Sequence, residues 1–365
     1  MKYSIDTQAK TAAYFQLYLQ IRDDIISGIY PTGSKLPSKR TIASDPGVST
    51  VTIEHAYALL CEEGYAEAHE RSGYFVIFHT DDGFIPVVQN IPQTPSPSPI
   101  SSDTNTEFPF SVLAKTMRKV ITEVDRGILE KSPNSGCFIL RKAICDYLAR
   151  SKGIIADIEQ VIIGSGSEYL YTMIVELLGR NCTYAIEYPS YKKIEEVYKA
   201  SDVQILKLPL VNNGIDSTAL KKCQSDILHI SPYRSYPSGV TASPSKRHEY
   251  IRWAEKDHRY LIEDDFESEF SLTPKHVETL FSHSLRDNVI YMNTFSKTIS
   301  PSFRIGYMVL PKHLVSKYET ELGFMSCTVP TYIQYVVAEL LTNGDFERHL
   351  NRIRRNKRKQ SVNEK

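Results

Sequence analysis

Residues 81–107 (DDGFIPVVQNIPQTPSPSPISSDTNTE) cut the 365-residue chain into two unequal parts. The five prolines in this stretch restrict φ and remove amide donors, and neither helix nor strand periodicity runs through it. Such a segment reads as an extended, semi-rigid connector, so one continuous hydrophobic core across the chain is excluded. The expected organisation is a domain over 1–80, a linker over 81–107 and a larger domain over 108–365. The 43 basic and 43 acidic side chains cancel, which rules out a uniformly basic nucleic-acid binder and leaves only local patches for anionic partners. Six cysteines, scattered and without paired Cys/His clusters, predict neither a metal site nor a disulfide framework, in keeping with a reducing cytoplasm. The start, MKYSIDTQAK, lacks the apolar core of a signal peptide. No apolar run approaches the ~18 residues that span a bilayer, so a cytoplasmic location away from membranes is expected.

The first part reads as three helices and a hairpin. Tyr14, Tyr18, Ile21 and Ile25 mark one apolar face of a helix that stops near Gly28. A short helix follows Leu36-Pro37, with Ser38 as N-cap, and ends by Pro46. Ser49 caps a third helix that turns Ile53, Ala56, Tyr57 and Leu60 inward. Alternating stretches around Tyr65–Ala68 and Tyr74–Phe78 flank the polar turn 69–73, which makes a hairpin or wing. Two short helices with a polar first turn on the second suit a helix-turn-helix, whose second helix enters the major groove end-on. Ser49, Thr50 and Thr52 would then meet base edges, Lys39 and Arg40 the phosphates, and Arg71 the adjacent minor groove. The same pattern also fits a small helical domain with a solvated face. Seven Lys/Arg against nine Asp/Glu leave residues 1–80 at a net of −2, so charge favours neither reading.

The motifs are more specific than the periodicity. Ser27-Gly28, Gly33, Leu36-Pro37-Ser38-Lys39-Arg40, Gly47-Val48-Ser49 with Thr52, and Ala56-Tyr57 with Leu60 and Gly64 follow one another across about 65 residues. This segment resembles the winged helix-turn-helix of the GntR regulators. The resemblance implies that Lys39, Arg40, Ser49, Thr50, Thr52, Arg71, Ser72 and Gly73 face DNA. Two positions depart from the family pattern: Thr50 stands where Arg is common, and Pro46 where a leucine is.

The second part alternates short apolar runs with helical stretches. Val161–Ile163, Thr183–Ile186, Ile227–Ile230, Tyr260–Ile262, Val289–Met292 and Tyr307–Leu310 read as buried strands, with helices such as Glu168–Leu178 and Ser245–Lys256 between several of them. That order predicts an α/β domain with a largely parallel sheet. In NTFSKTISPSFRIGY, Lys297 lies just past a strand among hydroxyls, seven residues before Arg304. An amine so placed can form a Schiff base with pyridoxal phosphate, while Thr294, Ser296 and Arg304 hold the phosphate. A Ser-Lys pair alone fits an ordinary surface equally well. Asp264, at the end of another strand, can pair with the pyridine nitrogen, although IEDDFESEF also reads as a solvated acidic loop. Ser165, Gly166 and Ser167 form a strand-to-helix turn whose amides can cradle phosphate, and Tyr191 can stack on the ring.

Together these pieces resemble fold-type I aminotransferases, and most closely the MocR/GabR group, in which a GntR head is fused to such a domain. The resemblance runs from about Phe108 to Arg358. It rests on Gly136 with Leu140-Arg141, Glu187 with Pro189-Ser190-Tyr191, Pro232 with Pro237-Ser238-Gly239, Glu263-Asp264-Asp265, and Thr294-Phe295-Ser296-Lys297. It implies that Lys297 bonds the cofactor and Asp264 meets the pyridine nitrogen. Tyr191 would be the stacking aromatic, and Ser165, Gly166, Ser167, Thr294, Ser296 and Arg304 the phosphate cup. Phe266 stands where the family has a tyrosine donor, Arg234-Ser235 where regulators often read His-Gln, and Lys193 where the best-known member has a basic Arg.

Family members continue past the helix that begins near Phe346, so a cofactor domain with an incomplete C-terminal subdomain is expected here. Residues 348–365 carry eight Lys/Arg and one acid, which reads either as a nonspecific DNA contact or as the solvated, basic start of that helix. The function implied is a homodimeric transcriptional regulator that binds a double-stranded operator and senses pyridoxal phosphate, with an amino-compound effector. The alternative is a working aminotransferase with an accessory DNA-binding head.

Overall fold

The computed structural model of the chain describes residues 3–6, 9, 11–43, 49–70, 72–79, 108–256, 259–270 and 279–363. The chain divides into two compact units, Met1–Ser98 and Pro99–Lys365. The expected connector 81–107, and the helix stop at Pro46, lie outside the described residues.

In the first unit, helices α1 (Ala13–Ile26), α2 (Lys39–Ala43) and α3 (Thr50–Glu62) precede a hairpin of β1 (Ala66–His69) and β2 (Gly73–Val76). The strands pair antiparallel, with His69 opposite Gly73. Ser38 caps α2, accepting from the Thr41 amide at 3.2 Å, and Ser49 caps α3, accepting from the Thr52 amide at 3.1 Å. One core joins Leu17, Tyr18, Ile21 and Ile25 of α1 to Ile53, Ala56, Tyr57 and Leu60 of α3, closed by Ala66 and Val76 of the hairpin. Tyr14 does not belong to that face. It is 38% exposed and lies edge-on to His55, while Leu17 takes the buried place. The Tyr57 hydroxyl donates to the Pro37 carbonyl at 2.6 Å, tying α3 to the entry of α2.

The second unit opens with α4 (Phe110–Val124) and α5 (Phe138–Lys152). It continues through β3 (Val161–Gly164), α6 (Ser167–Leu178), β4 (Thr183–Tyr188), α7 (Lys192–Ala200), β5 (Gln204–Val211), β6 (Gly214–Ile215) and α8 (Ser217–Lys222). Then follow β7 (Ile227–Ile230), α9 (Pro244–Ala254), β8 (Tyr260–Asp264), α10 (Leu280–His283), β9 (Val289–Thr294), β10 (Gly306–Val309), α11 (Lys312–Glu321), α12 (Thr331–Thr342) and α13 (Asp345–Asn363). The strands form one sheet in the order β3-β10-β9-β8-β7-β4-β5-β6. From β9 to β5 neighbours are parallel; β10 runs antiparallel between β3 and β9, and β6 antiparallel at the far edge.

Strand alternation explains the layers. Ile162, Ile186, Ile227, Ile262, Ile290 and Met308 face α6, α7 and α11. Their neighbours face the other way: Val161, Ile163 and Tyr291 pack against α5 and α12, while Ala185, Leu228 and Leu261 pack against α9. A sheet covered on both sides needs apolar residues at consecutive positions, which is why these strands are unbroken apolar runs. No helix among the described residues is long and apolar enough to cross a membrane.

Candidate functional site

Strands β4, β7, β8 and β9 run the same way, and β3, reached through the antiparallel β10, runs with them. Their carboxyl ends therefore share one edge, where open α/β sheets gather ligands. A cavity of about 310 Å³ opens there. It is lined by seven of the nine residues predicted for a cofactor: Ser167, Tyr191, Asp264, Thr294, Ser296, Lys297 and Arg304. Ser165 and Gly166 are not in the lining. Their turn lies behind Arg304, whose Nη2 is 3.5 Å from the Ser165 carbonyl. The Gly166 amide donates to the Gly164 carbonyl at 2.9 Å, so it is already engaged. Gly166 has φ +99, a conformation that favours glycine, and a Cβ there would sit 2.9 Å from Arg304 Nη2, so that the guanidinium would have to shift.

Asp264 is 3% exposed and accepts a hydrogen bond from the Tyr171 hydroxyl at 2.6 Å. His229 Nε2 lies 3.5 Å from the same oxygen, and His229 Nδ1 is 2.7 Å from the Tyr198 hydroxyl. Burial, with Asp264 beside it, raises the Tyr171 phenol far above its usual range, so that hydroxyl stays a donor. Tyr171 and Asp264 both line the cavity, and the phenol orients the aspartate there.

The acidic triplet is not a solvated loop. Glu263 and Asp265 lie on the side of β8 opposite Asp264, as alternation requires. Glu263 accepts from the Leu280 and Phe281 amides at the start of α10, both at 2.9 Å. Asp265 is fully buried and meets Lys152 Nζ at 3.0 Å and the Tyr291 hydroxyl at 2.8 Å.

Lys297 points its amine at Glu267 Oε1, 2.6 Å away, with Nζ 4.4 Å from the centre of the Phe266 ring. The other Glu267 oxygen is 3.4 Å from Arg234 Nε. Tyr191 sits at the start of α7 and meets Tyr236 edge-on, ring centres 6.1 Å apart. Arg304 follows the turn Pro301–Phe303 in the left-handed region, at φ +47. Its guanidinium is 2.9 Å from Glu168 Oε2, whose partner oxygen is 2.5 Å from Lys193 Nζ. Sequence reasoning passed over Tyr171, Glu168, Tyr236 and Glu267. Glu168 carried a signal, being an acid directly after the Gly/Ser turn, yet such acids are common in first helical turns.

In the first unit, Lys39 opens α2 and its amine is 2.8 Å from Glu54 Oε1 on α3. Arg40 follows it in α2. Ser49, Thr50 and Thr52 form the start of α3, with Ser49 and Thr50 exposed and the Ser49 and Thr52 hydroxyls 2.8 Å apart. Ser72 is exposed at the hairpin turn, and Gly73 begins β2 at φ +113, a left-handed position. Arg71 lies outside the described residues.

Residues 101–364 match the family model for aminotransferase class I and II, and residues 13–76 that for bacterial regulatory proteins of the gntR family. The HTH-type transcriptional regulator YdeL of Bacillus subtilis is 31% identical over 361 residues, covering 95% of this chain and 77% of that protein. The chain belongs to the GntR regulators of the MocR type. The probable rhizopine catabolism regulatory protein MocR of Rhizobium meliloti is 25% identical over 96% of this chain and 76% of its own. Among solved structures, the multiple substrate aminotransferase of Thermococcus profundus superposes with a TM-score of 0.62 at 23% identity. The superposition covers 68% of this chain and 64% of that enzyme, so the chain spans less than two thirds of the aminotransferase it matches. This MocR-type regulator thus joins a DNA-binding head to a fold-type I aminotransferase-like domain.

Proposed function

We propose that the second unit binds pyridoxal phosphate through Lys297 and that the chain regulates transcription as a homodimer, with an amino compound as effector. The observation that carries this reading is the convergence at one sheet edge of an amine, a buried carboxylate and a cationic, hydroxyl-rich end. The residues fit the group. The Gly166 turn is cut away so that Arg304 can approach, and Ser167, Thr294 and Ser296 line the same cavity. Asp264, held by Tyr171, would accept from the pyridine nitrogen and keep it protonated. Bound there, the cofactor supplies an aldehyde for amines and a ring that withdraws electrons. Lys297 would supply the amine that holds the cofactor, and Glu267, 2.6 Å from that amine, would hold it as an ammonium when it is not so engaged. Phe266, lacking a hydroxyl, gives the ring's phenolic oxygen no donor. An effector that binds one arrangement of the chain better than another shifts operator affinity by that difference. Exposed Ser49 and Thr50, with Thr52, Lys39, Arg40, Arg71, Ser72 and Gly73, supply the DNA face, and a dimer would read paired half-sites.

The test is spectroscopic. Wild type mixed with pyridoxal phosphate should develop the visible band of a lysine-bonded cofactor, and Lys297→Ala should not. A band that shifts with added amines, without multiple turnover on a keto acid, separates sensing from transamination. Absence of a band in wild type would sink the cofactor reading. Failure to retard DNA from its own upstream region would sink the regulator reading.

A further inference from the structure

Glu168 stands at the end of the cavity that the proposed cofactor reading assigns to phosphate. Its carboxylate bridges two cations there, with Oε2 2.9 Å from Arg304 Nη2 and Oε1 2.5 Å from Lys193 Nζ. Arg304 is the arginine whose guanidinium fills the space left by Gly166. We propose that Glu168 is a resident anion occupying the phosphate position, and that a phosphorylated ligand enters by pushing it off Arg304 onto Lys193. The inference rests on the cofactor reading and adds a selectivity step to it.

Several observations support the idea. Burial pushes the Glu168 carboxyl up, but hydrogen bonds from Lys193, the backbone and Arg304 outweigh this and hold it near about 2. It is therefore charged at any working pH. A phosphate dianion beside Ser167 would face that charge across a shared guanidinium, and two oxyanions on one arginine edge repel. The side chain need not leave the site to relieve this. Its second oxygen already contacts Lys193, whose side chain is half exposed. Lys193 thus serves as the resting place of the displaced carboxylate. A monoanionic carboxylate offers Arg304 no more than Glu168 does, so it would not displace the resident group. A phosphate monoester, with more charge and three acceptor oxygens, would. The cavity would then select phosphorylated ligands by competition as well as by contact.

Equilibrium binding of pyridoxal phosphate, unphosphorylated pyridoxal and inorganic phosphate to the full chain tests this. Glu168→Gln should bind pyridoxal phosphate and inorganic phosphate about tenfold more tightly than wild type, with pyridoxal unchanged. Lys193→Gln should bind pyridoxal phosphate about tenfold more weakly, because the displaced carboxylate loses its resting place. The double variant should match Glu168→Gln alone, since Lys193 acts through Glu168. Glu168→Ala provides a second removal of the charge should the glutamine variant fold poorly. Unchanged or weaker phosphate binding in both Glu168 variants would overturn the proposal, as would a Lys193 effect that persists in full in the double variant. Wild-type binding without any Glu168 dependence defeats this inference alone. No binding by any variant defeats the cofactor reading along with it.

Discussion

Asp264 in the candidate site is held by a neighbour that lines the same cavity. Tyr171 donates to it across 93 positions of sequence, inside a fully buried pocket with His229 and Tyr198. Removing that donor leaves a buried oxygen short of a partner, which costs about 1–3 kcal/mol. Tyr171→Phe should therefore lower the urea midpoint while keeping the fold, and it should weaken pyridoxal phosphate binding, because Asp264 is no longer aimed. Unaltered stability and unaltered binding would show that Tyr171 is a packing residue only. Glu263 and Asp265 need no such test of aim. Each has its own partners on the opposite face of β8, and they share only sequence adjacency with Asp264.

At the scale of elements, the cap of α3 is the point where stability and recognition meet. The Ser49 side chain accepts the Thr52 amide, so it helps start the helix whose first turn is proposed to meet DNA. Ser49→Ala should cost about 1 kcal/mol of stability in the first unit and weaken retardation of operator DNA. Calorimetry and gel retardation on the same preparation would read both effects, and retardation at wild-type strength would separate the cap from the interface. Much of this level was legible beforehand. Six strands of the sheet are apolar runs because they are covered on both faces, and Ser38 and Ser49 announce their helices by residue type. Strands β5 and β6 were not legible: β5 is partly exposed and contains Pro209, and β6 is two residues long. In the site, residues at strand ends could be read in advance, since chain position alone places them. Tyr171, Glu168 and Glu267 could not, because their roles come from partners 25 to 136 residues away.

Over the whole molecule the cancelled charge hides a stored dependence on pH. Glu187 and Glu263 are both buried, and burial drives each carboxyl up to about 8 from its ordinary 4.5. The folded chain then keeps protons that the unfolded chain releases between about pH 4.5 and 8. Stability should fall as pH rises through that window and level off above it. Glu187→Gln, which removes one such proton without changing shape, should flatten part of the slope, by on the order of 1 kcal/mol or more across the window. Denaturant midpoints at the two ends of the window would measure this, and an identical slope in the variant would count against the assignment. Neutral overall charge also means that DNA affinity rests on few local cations. In the proposed DNA face Lys39 would be one of these, and its amine already lies 2.8 Å from Glu54 Oε1.

The antiparallel step made by β10 has a consequence for how this site can be moved or altered. Phe295 and Ile305 are joined by a backbone hydrogen bond of 2.9 Å, which closes a loop carrying Lys297 near one end and Arg304 at the other. The span between amine and guanidinium is therefore set within one short length of chain, pinned at both feet. Adding or deleting a residue there would detune both groups at once, whereas the same change between β4 and β7 would leave their spacing intact. Residues 294–306 thus carry both groups between the paired ends of two antiparallel neighbours, β9 and β10.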